Sequence, residues 1–130
     1  LMIDFDHFKR INDEHGHLFG DRVLASGVQI MRQWLEPGDM LGRYGGEEFI
    51  AVLPDRDEMN AHAIAERLRD KVEFGLTPLT GSPRPLTISI GLASLQRSGS
   101  TTLEELLSAA DAAVYRAKAD GRNRVVPYAA

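Results

Sequence analysis

Four carboxylates and three cations have the types and spacing to do chemistry together. Asp4 and Asp6 end the run Leu1-Met2-Ile3-Asp4-Phe5-Asp6, Glu47 and Glu48 stand in Arg43-Tyr44-Gly45-Gly46-Glu47-Glu48-Phe49, and Lys9, Lys118 and Arg122 are the cations. Acids at two strand ends form a site if the strands are neighbours and share metal ions. Hard oxygen ligands, supplemented by substrate phosphates, are what Mg²⁺ takes in nucleotidyl transfer, where it polarises the phosphoryl group and orients the nucleophile. The cations would then balance polyphosphate charge. Each cluster also has a plain reading. Asp-x-Asp initiates turns and caps helices, a Gly-Gly-Glu-Glu tip can be solvated hairpin charge, and cations at a helix C-terminus suit its dipole.

Other chemistries are poorly served. His15 and His17 flank Gly16 and lack the i, i+4 spacing that would put both on one helical face, so a transition-metal site is disfavoured there. No Gly-Lys-Ser/Thr sequence occurs, so there is no Walker loop.

The elements that position these groups follow from periodicity. Met40 to Tyr44 and Phe49 to Leu53 read as strands, and Gly45-Gly46 is expected to supply the positive φ angles of a tight two-residue hairpin. Alternation sends Glu47, Phe49, Ala51 and Leu53 to one face and Glu48, Ile50 and Val52 to the other, which implies a sheet covered on both sides. Asp4 and Asp6 project to the same side if the first strand stays extended through them. Phe8 to Ile11 reads as a short helical turn, residues 12–21 as a polar loop, and Asp21 as the N-cap of a helix carrying Leu24, Val28, Met31 and Leu35. Pro37-Gly38 ends that helix, and Trp34 reads as a core or helix-packing residue. A second helix runs to about Phe74 with Ala61, Ile64, Ala65, Leu68 and Val72 inward. After a loop over 77–85, residues 86–93 read as a strand and 97–100 as a flexible connection. A third helix opens on a Thr102/Glu105 capping box and stops at Gly121, and 123–127 closes as a strand. Strands and helices interleaved around a hairpin make an α/β sandwich with a mixed or antiparallel sheet.

Composition bounds the class. With 130 residues and 43% hydrophobic content the chain can bury one sizeable core, so a single domain over 1–130 is expected. Leu1-Met2-Ile3 already reads as strand, which suggests truncation at the N-terminus. A formal net charge of −4 argues against nucleic acid as a partner. The absence of cysteine fits a reducing, cytoplasmic setting. No apolar run is long enough to span a bilayer, so no membrane contact by this domain is expected, and any anchor would belong to another part of the protein.

Five ordered segments carry a resemblance. Asp-Phe-Asp-His-Phe-Lys-Arg-Ile-Asn-Asp at 4–13, Gly-His at 16–17, Gly-Asp at 20–21, Arg-Tyr-Gly-Gly-Glu-Glu-Phe at 43–49 and Ala-Lys-Ala-Asp-Gly-Arg-Asn at 117–123 are similar to the GGDEF domain of diguanylate cyclases, in a Gly-Gly-Glu-Glu-Phe variant. The resemblance implies an α/β (α+β) fold with a central, largely antiparallel five-stranded sheet flanked by helices, similar to class III nucleotide cyclases and polymerase palm domains. It implies condensation of two GTP into cyclic di-GMP with release of two pyrophosphates, at the interface of a two-fold homodimer. Mg²⁺, with Mn²⁺ as a substitute, is the implied cofactor, and an upstream sensor or regulatory domain is the implied partner.

By the same resemblance, Asp4, Glu47 and the backbone carbonyl of Phe5 match metal ligands, with Glu48 as an added one. Glu47, Glu48 and Lys9 are the catalytic candidates, and Glu47 matches the position proposed to accept the 3′-hydroxyl proton. Asn12 and Asp21 match a guanine-reading pair and Leu24 an apolar base contact. Lys9, Lys118 and Arg122, with main-chain N–H groups of His7 and Phe8, match phosphate contacts. Gly45 and Gly46 would let the hairpin backbone approach the nucleotide.

The sequence departs from the family at the product-inhibition site. Arg-x-x-Asp is replaced by Glu36-Pro37-Gly38-Asp39, and a glutamate there would repel the product's phosphates. Arg67 matches a secondary inhibitory arginine or is a helix surface charge. The alternative to a cyclase is a catalytically silent GTP-binding or regulatory module acting on a partner domain. A third reading is an α/β interaction domain with surface acids.

Overall fold

The computed structural model describes residues 1–81 and 83–129. Five strands form one sheet: β1 (Met2–Phe5), β2 (Met40–Gly45), β3 (Glu48–Val52), β4 (Ile88–Leu92) and β5 (Val125–Pro127), in the order β2-β3-β1-β4-β5. Three pairings are antiparallel and the β4/β5 pairing is parallel. β1 and β4 occupy the centre, and every residue of both is buried. Strands covered on both faces become continuously apolar, and the acids can appear only where that cover ends.

Helices supply the cover. On one face, Ile3, Phe5, Phe49, Ile88 and Ile90 meet Val23, Leu24 and Met31 of α2 (His17–Trp34) and Ile64, Leu68 and Val72 of α3 (Glu58–Leu76). Leu68 is fully buried there, so its truncation to alanine would cost about 2–5 kcal/mol. On the other face, Met2 and Ile50 meet Leu107, Ala110 and Val114 of α5 (Leu103–Ala119). Gly91 lets α5 lie almost on β4, because a Cβ there would sit 2.2 Å from the carbonyl oxygen of Ala110. α1 (Phe8–His15) packs on α2, and α4 (Leu95–Ser98) is a single turn.

The capping of α5 is as the sequence reads. Thr102 and Glu105 form a reciprocal capping box on α5, and Gly121, with φ 121°, follows the C-cap Asp120. Asp57 caps α3, accepting from the Asn60 N–H at 2.7 Å. Trp34 is a helix-packing residue, with the Lys71 ammonium of α3 4.6 Å from its ring centroid.

Residues 12–21 differ from the expected loop. α1 continues to His15, only Gly16 (φ 89°) breaks the helix, and α2 starts at His17. Asp21 therefore lies inside α2 instead of capping it. The 97–100 connection is partly helical through α4, and 77–80 forms a 3-10 turn within the expected loop.

Candidate functional site

The site is built where β1 ends beside the β2–β3 tip. Asp4 pairs with Glu48 across the β1/β3 ladder, and the Phe5 N–H donates to the Glu47 carbonyl at 3.2 Å. Asp4 is 3% exposed, and its Oδ2 lies 2.8 Å from Nζ of Lys118 on the last turn of α5. Burial pushes the Asp4 carboxyl up to about 6; Lys118 pulls it back down, and the charges of Glu47 and Glu48 push it up again. Asp4 of β1, Glu48 of β3 and Glu47 of the connecting turn thus stand close enough to influence one another's charge.

Asp6 does not share this role. Extension ends at Phe5, and the Asp6 carboxylate accepts from the Thr87 hydroxyl, the Ser89 hydroxyl and the Asn123 N–H. The two aspartates take separate partners, which corrects the expectation of a paired Asp-x-Asp.

The hairpin tip also differs in detail. Gly45 belongs to β2, opposite Glu48, and only Gly46 has positive φ (50°), so the connecting residues are Gly46 and Glu47. The register shifts between Arg43 and Gly45, and the Arg43 fork closes the turn, with Nε and Nη2 donating to the Gly46 carbonyl at 2.9 and 2.6 Å. This clamp was legible in sequence only as an arginine three residues before the glycine.

Around the acids stand the cations and free donors. His7, with φ 54°, precedes α1, whose N-terminus has no side-chain cap, so the first-turn N–H groups, including that of Phe8, are not satisfied within the helix. Lys9 is exposed on that first turn. The His7 imidazole is held below its usual value by burial first, then by the charges of Arg10 and Arg122. An uncapped helix N-terminus with the exposed Lys9 on its first turn has the polarity that favours an anion.

Asn12 and Gly20 form the second part of the site. Asn12 Oδ1 is buried with no hydrogen-bond partner, and a Cβ on Gly20 would stand 1.8 Å from it. A buried acceptor without a donor is costly, and suits a ligand that brings one. Asp21 is exposed on the next residue of α2. Leu24, one turn on, is only 6% exposed and belongs to the core, which leaves it little surface for a base.

The two acids of the 36–39 segment share one cation, Arg56. Asp39, whose side chain is 1% exposed, accepts from the Glu36 N–H at 2.9 Å and from Arg56 at 3.2 Å, while Arg56 also meets Glu36 at 2.6 Å. Arg56 was not singled out in sequence. Arg67 is exposed on α3.

The donor set fits a hard divalent cation. Asp4 already holds one positive group, the Lys118 ammonium, and Glu47, Glu48 and main-chain oxygens lie at the same strand ends. Among the described residues no three His, Cys, Asp or Glu side chains converge into a metal cluster.

The sequence profile described as "Diguanylate cyclase, GGDEF domain" matches residues 1–124. The chain is 43% identical over 128 residues to the probable diguanylate cyclase DgcT of Escherichia coli K12, covering 97% of this chain and 28% of that protein. It is 42% identical over 126 residues to the diguanylate cyclase DgcM of the same organism, covering 97% of this chain and 30% of that protein. It therefore spans less than a third of either curated relative. Among solved structures, it is similar to the diguanylate cyclase SiaD of Pseudomonas aeruginosa in complex with its activator SiaC, with a TM-score of 0.86, 38% identity and coverage of 97% of this chain and 48% of that one. It is likewise similar to the active GGEEF domain of a diguanylate cyclase from Vibrio cholerae, with a TM-score of 0.84, 32% identity and coverage of 99% and 81%. The palm-like sheet and the family profile agree, and the chain belongs to the GGDEF-domain family.

Proposed function

We propose that this domain condenses two GTP into cyclic di-GMP, as part of a cytoplasmic signalling protein whose other segments supply the regulatory input. The observation that carries this reading is the buried Asp4 beside Glu47 and Glu48, already engaged by the Lys118 cation at 2.8 Å.

Two such sites would face each other in a homodimer, each holding one nucleotide, because each 3′-hydroxyl must reach the α-phosphorus of the other GTP. The new bond is 3′-O to α-phosphorus, and the bond that breaks releases pyrophosphate. The Glu47 carboxylate takes the hydroxyl proton. Lys9, Lys118, Arg122 and the open N–H groups at the start of α1 bind and neutralise the phosphates. Asp4, Glu47, Glu48 and the Phe5 carbonyl would hold Mg²⁺, or Mn²⁺ in its place, which when bound supplies charge neutralisation and polarises the phosphoryl oxygens.

The base is read by the Asn12 amide and the Asp21 carboxylate. Guanine presents an N1–H and an exocyclic amine to acceptors, a pair that adenine lacks, so GTP is favoured over ATP. Inhibition by product at the 36–39 segment is weak in this reading, because Arg56 already occupies both Glu36 and Asp39.

Chromatography of GTP and Mg²⁺ reactions, with the domain fused to a dimerising coiled coil, tests the proposal. Cyclic di-GMP that disappears in Glu47→Ala and Asp4→Ala supports it. GTP binding by a confirmed dimer without product would favour the silent regulatory module.

A further inference from the structure

We propose that Asp6 is a positioning residue that sets the place of Lys118 and Arg122 for the nucleotide's phosphates, and this rests on the reading of those cations as phosphate contacts. Asp6 is 4% exposed, at the end of the central strand, and directly follows the residues assigned to the metal. Its carboxylate accepts from Thr87 Oγ1 at 2.7 Å, Ser89 Oγ at 2.7 Å and the main-chain N–H of Asn123 at 3.1 Å. A buried carboxylate is tolerated when several donors replace its water, and here two come from the β4 side and one from the turn after α5.

That turn is unusual. Arg122 and Asn123 are consecutive non-glycine residues with φ of 64° and 47°. Each costs free energy in that region and persists only where its surroundings over-determine it. The surroundings do so from three sides. Asp6 holds the Asn123 N–H, the α3 side chains Glu73 and Arg69 hold the Asn123 amide at 2.8 Å each, and the Arg122 N–H donates to the Ala117 carbonyl of α5 at 2.9 Å.

The consequence is geometric. Lys118 leaves α5 just before this turn and lies on Asp4, while Arg122 leaves from the turn itself. Asp4 and Asp6 therefore fix opposite halves of one arrangement. Asp4 faces the Lys118 ammonium, and Asp6, two residues on, holds the main chain of the turn that follows Lys118 and carries Arg122.

Asp6→Asn keeps the shape and removes one acceptor oxygen. In the dimerised domain, the expected result is a rise of about tenfold in KM for GTP, with kcat reduced by less. GTP affinity, measured by titration calorimetry well below the unfolding midpoint, should fall in parallel. The double variant Asp6→Asn/Arg122→Ala should lose less GTP affinity than the two single losses combined, because part of the Asp6 effect passes through Arg122. Thr87→Val, which deletes a single donor to the same carboxylate, should raise KM in the same sense by less, and serves if Asp6→Asn does not fold. Unchanged KM in folded variants, or strictly additive losses in the double variant, overturns the positioning role. A wild-type domain that makes product with unaffected variants defeats this proposal alone, whereas a wild-type domain that binds no GTP defeats the phosphate-contact reading and this proposal with it.

Discussion

The Lys118 ammonium lies 2.8 Å from Asp4 Oδ2, joining the last turn of α5 to the central strand at the point where the hairpin acids arrive. A carboxylate this buried needs a cation, and Lys118 fills that need until a metal and its substrate take over the charge balance.

Removal of Lys118 should therefore matter most when Asp4 is ionised. Lys118→Met is expected to destabilise the metal-free protein by about 2 kcal/mol at pH 8. The difference should shrink at pH 5, where Asp4, with a carboxyl near 6, is mostly protonated in both proteins. Urea unfolding at the two pH values measures it, and equal losses at both would contradict the coupling.

Asp4 has a folded value raised to about 6 from an ordinary 3.8. Folding then favours the protonated form, so this group's contribution to stability is fully present below about pH 4 and is lost as pH rises toward 6. Asp4→Asn should consequently raise the unfolding midpoint of the metal-free protein by a few degrees at pH 8 and have little effect at pH 4. Metal binding runs the opposite way. Mn²⁺ affinity, followed by electron paramagnetic resonance, should fall as pH drops below about 6 and be abolished in Asp4→Asn.

Gly20→Ala tests the base pocket without touching an ionisable group. Its Cβ would stand 1.8 Å from Asn12 Oδ1, so Asn12 must move. GTP affinity is expected to fall about tenfold, with a loss of stability of about 1–3 kcal/mol. Titration calorimetry and thermal unfolding read the two effects, and retained affinity would exclude Asn12 from base recognition.

The glycine pair should split. A Cβ meets nothing within 4 Å at either Gly45 or Gly46, but only Gly46 has positive φ. Gly46→Ala is expected to cost about 1 kcal/mol or more and Gly45→Ala less than half of that, as measured by chemical unfolding. Equal costs would mean that the turn is not the one described.

Arg56→Ala should leave the buried Asp39 carboxylate with the Glu36 N–H as its remaining partner, at a cost of about 1–3 kcal/mol. Urea unfolding checks it. A neutral effect would show that the Glu36–Arg56–Asp39 group contributes nothing to the fold.

The sequence by itself determined the chemical inventory and most of the elements. Alternation placed Phe49 and Ala51 in the core, helical spacing placed Ala110, Ala113, Val114 and Ala117 on the buried side of α5 but also Leu103, which is exposed, and Thr102 with Glu105 marked its start. These are local signals, written in neighbouring residues. Tertiary structure decided what local rules leave open. A glycine pair reads as two positive φ angles, yet the register opposite Glu48 puts Gly45 in a strand. Asp21 reads as a cap, yet residues 17–21 are already helical, with Gly20 packed against Asn12 of α1. Asp4 and Asp6 read as a pair, and their separation depends on partners 81 to 117 positions away for Asp6 and on Lys118 for Asp4. No periodicity in a chain encodes a contact between its ends; packing of α5 against β1 and β4 brings those ends together.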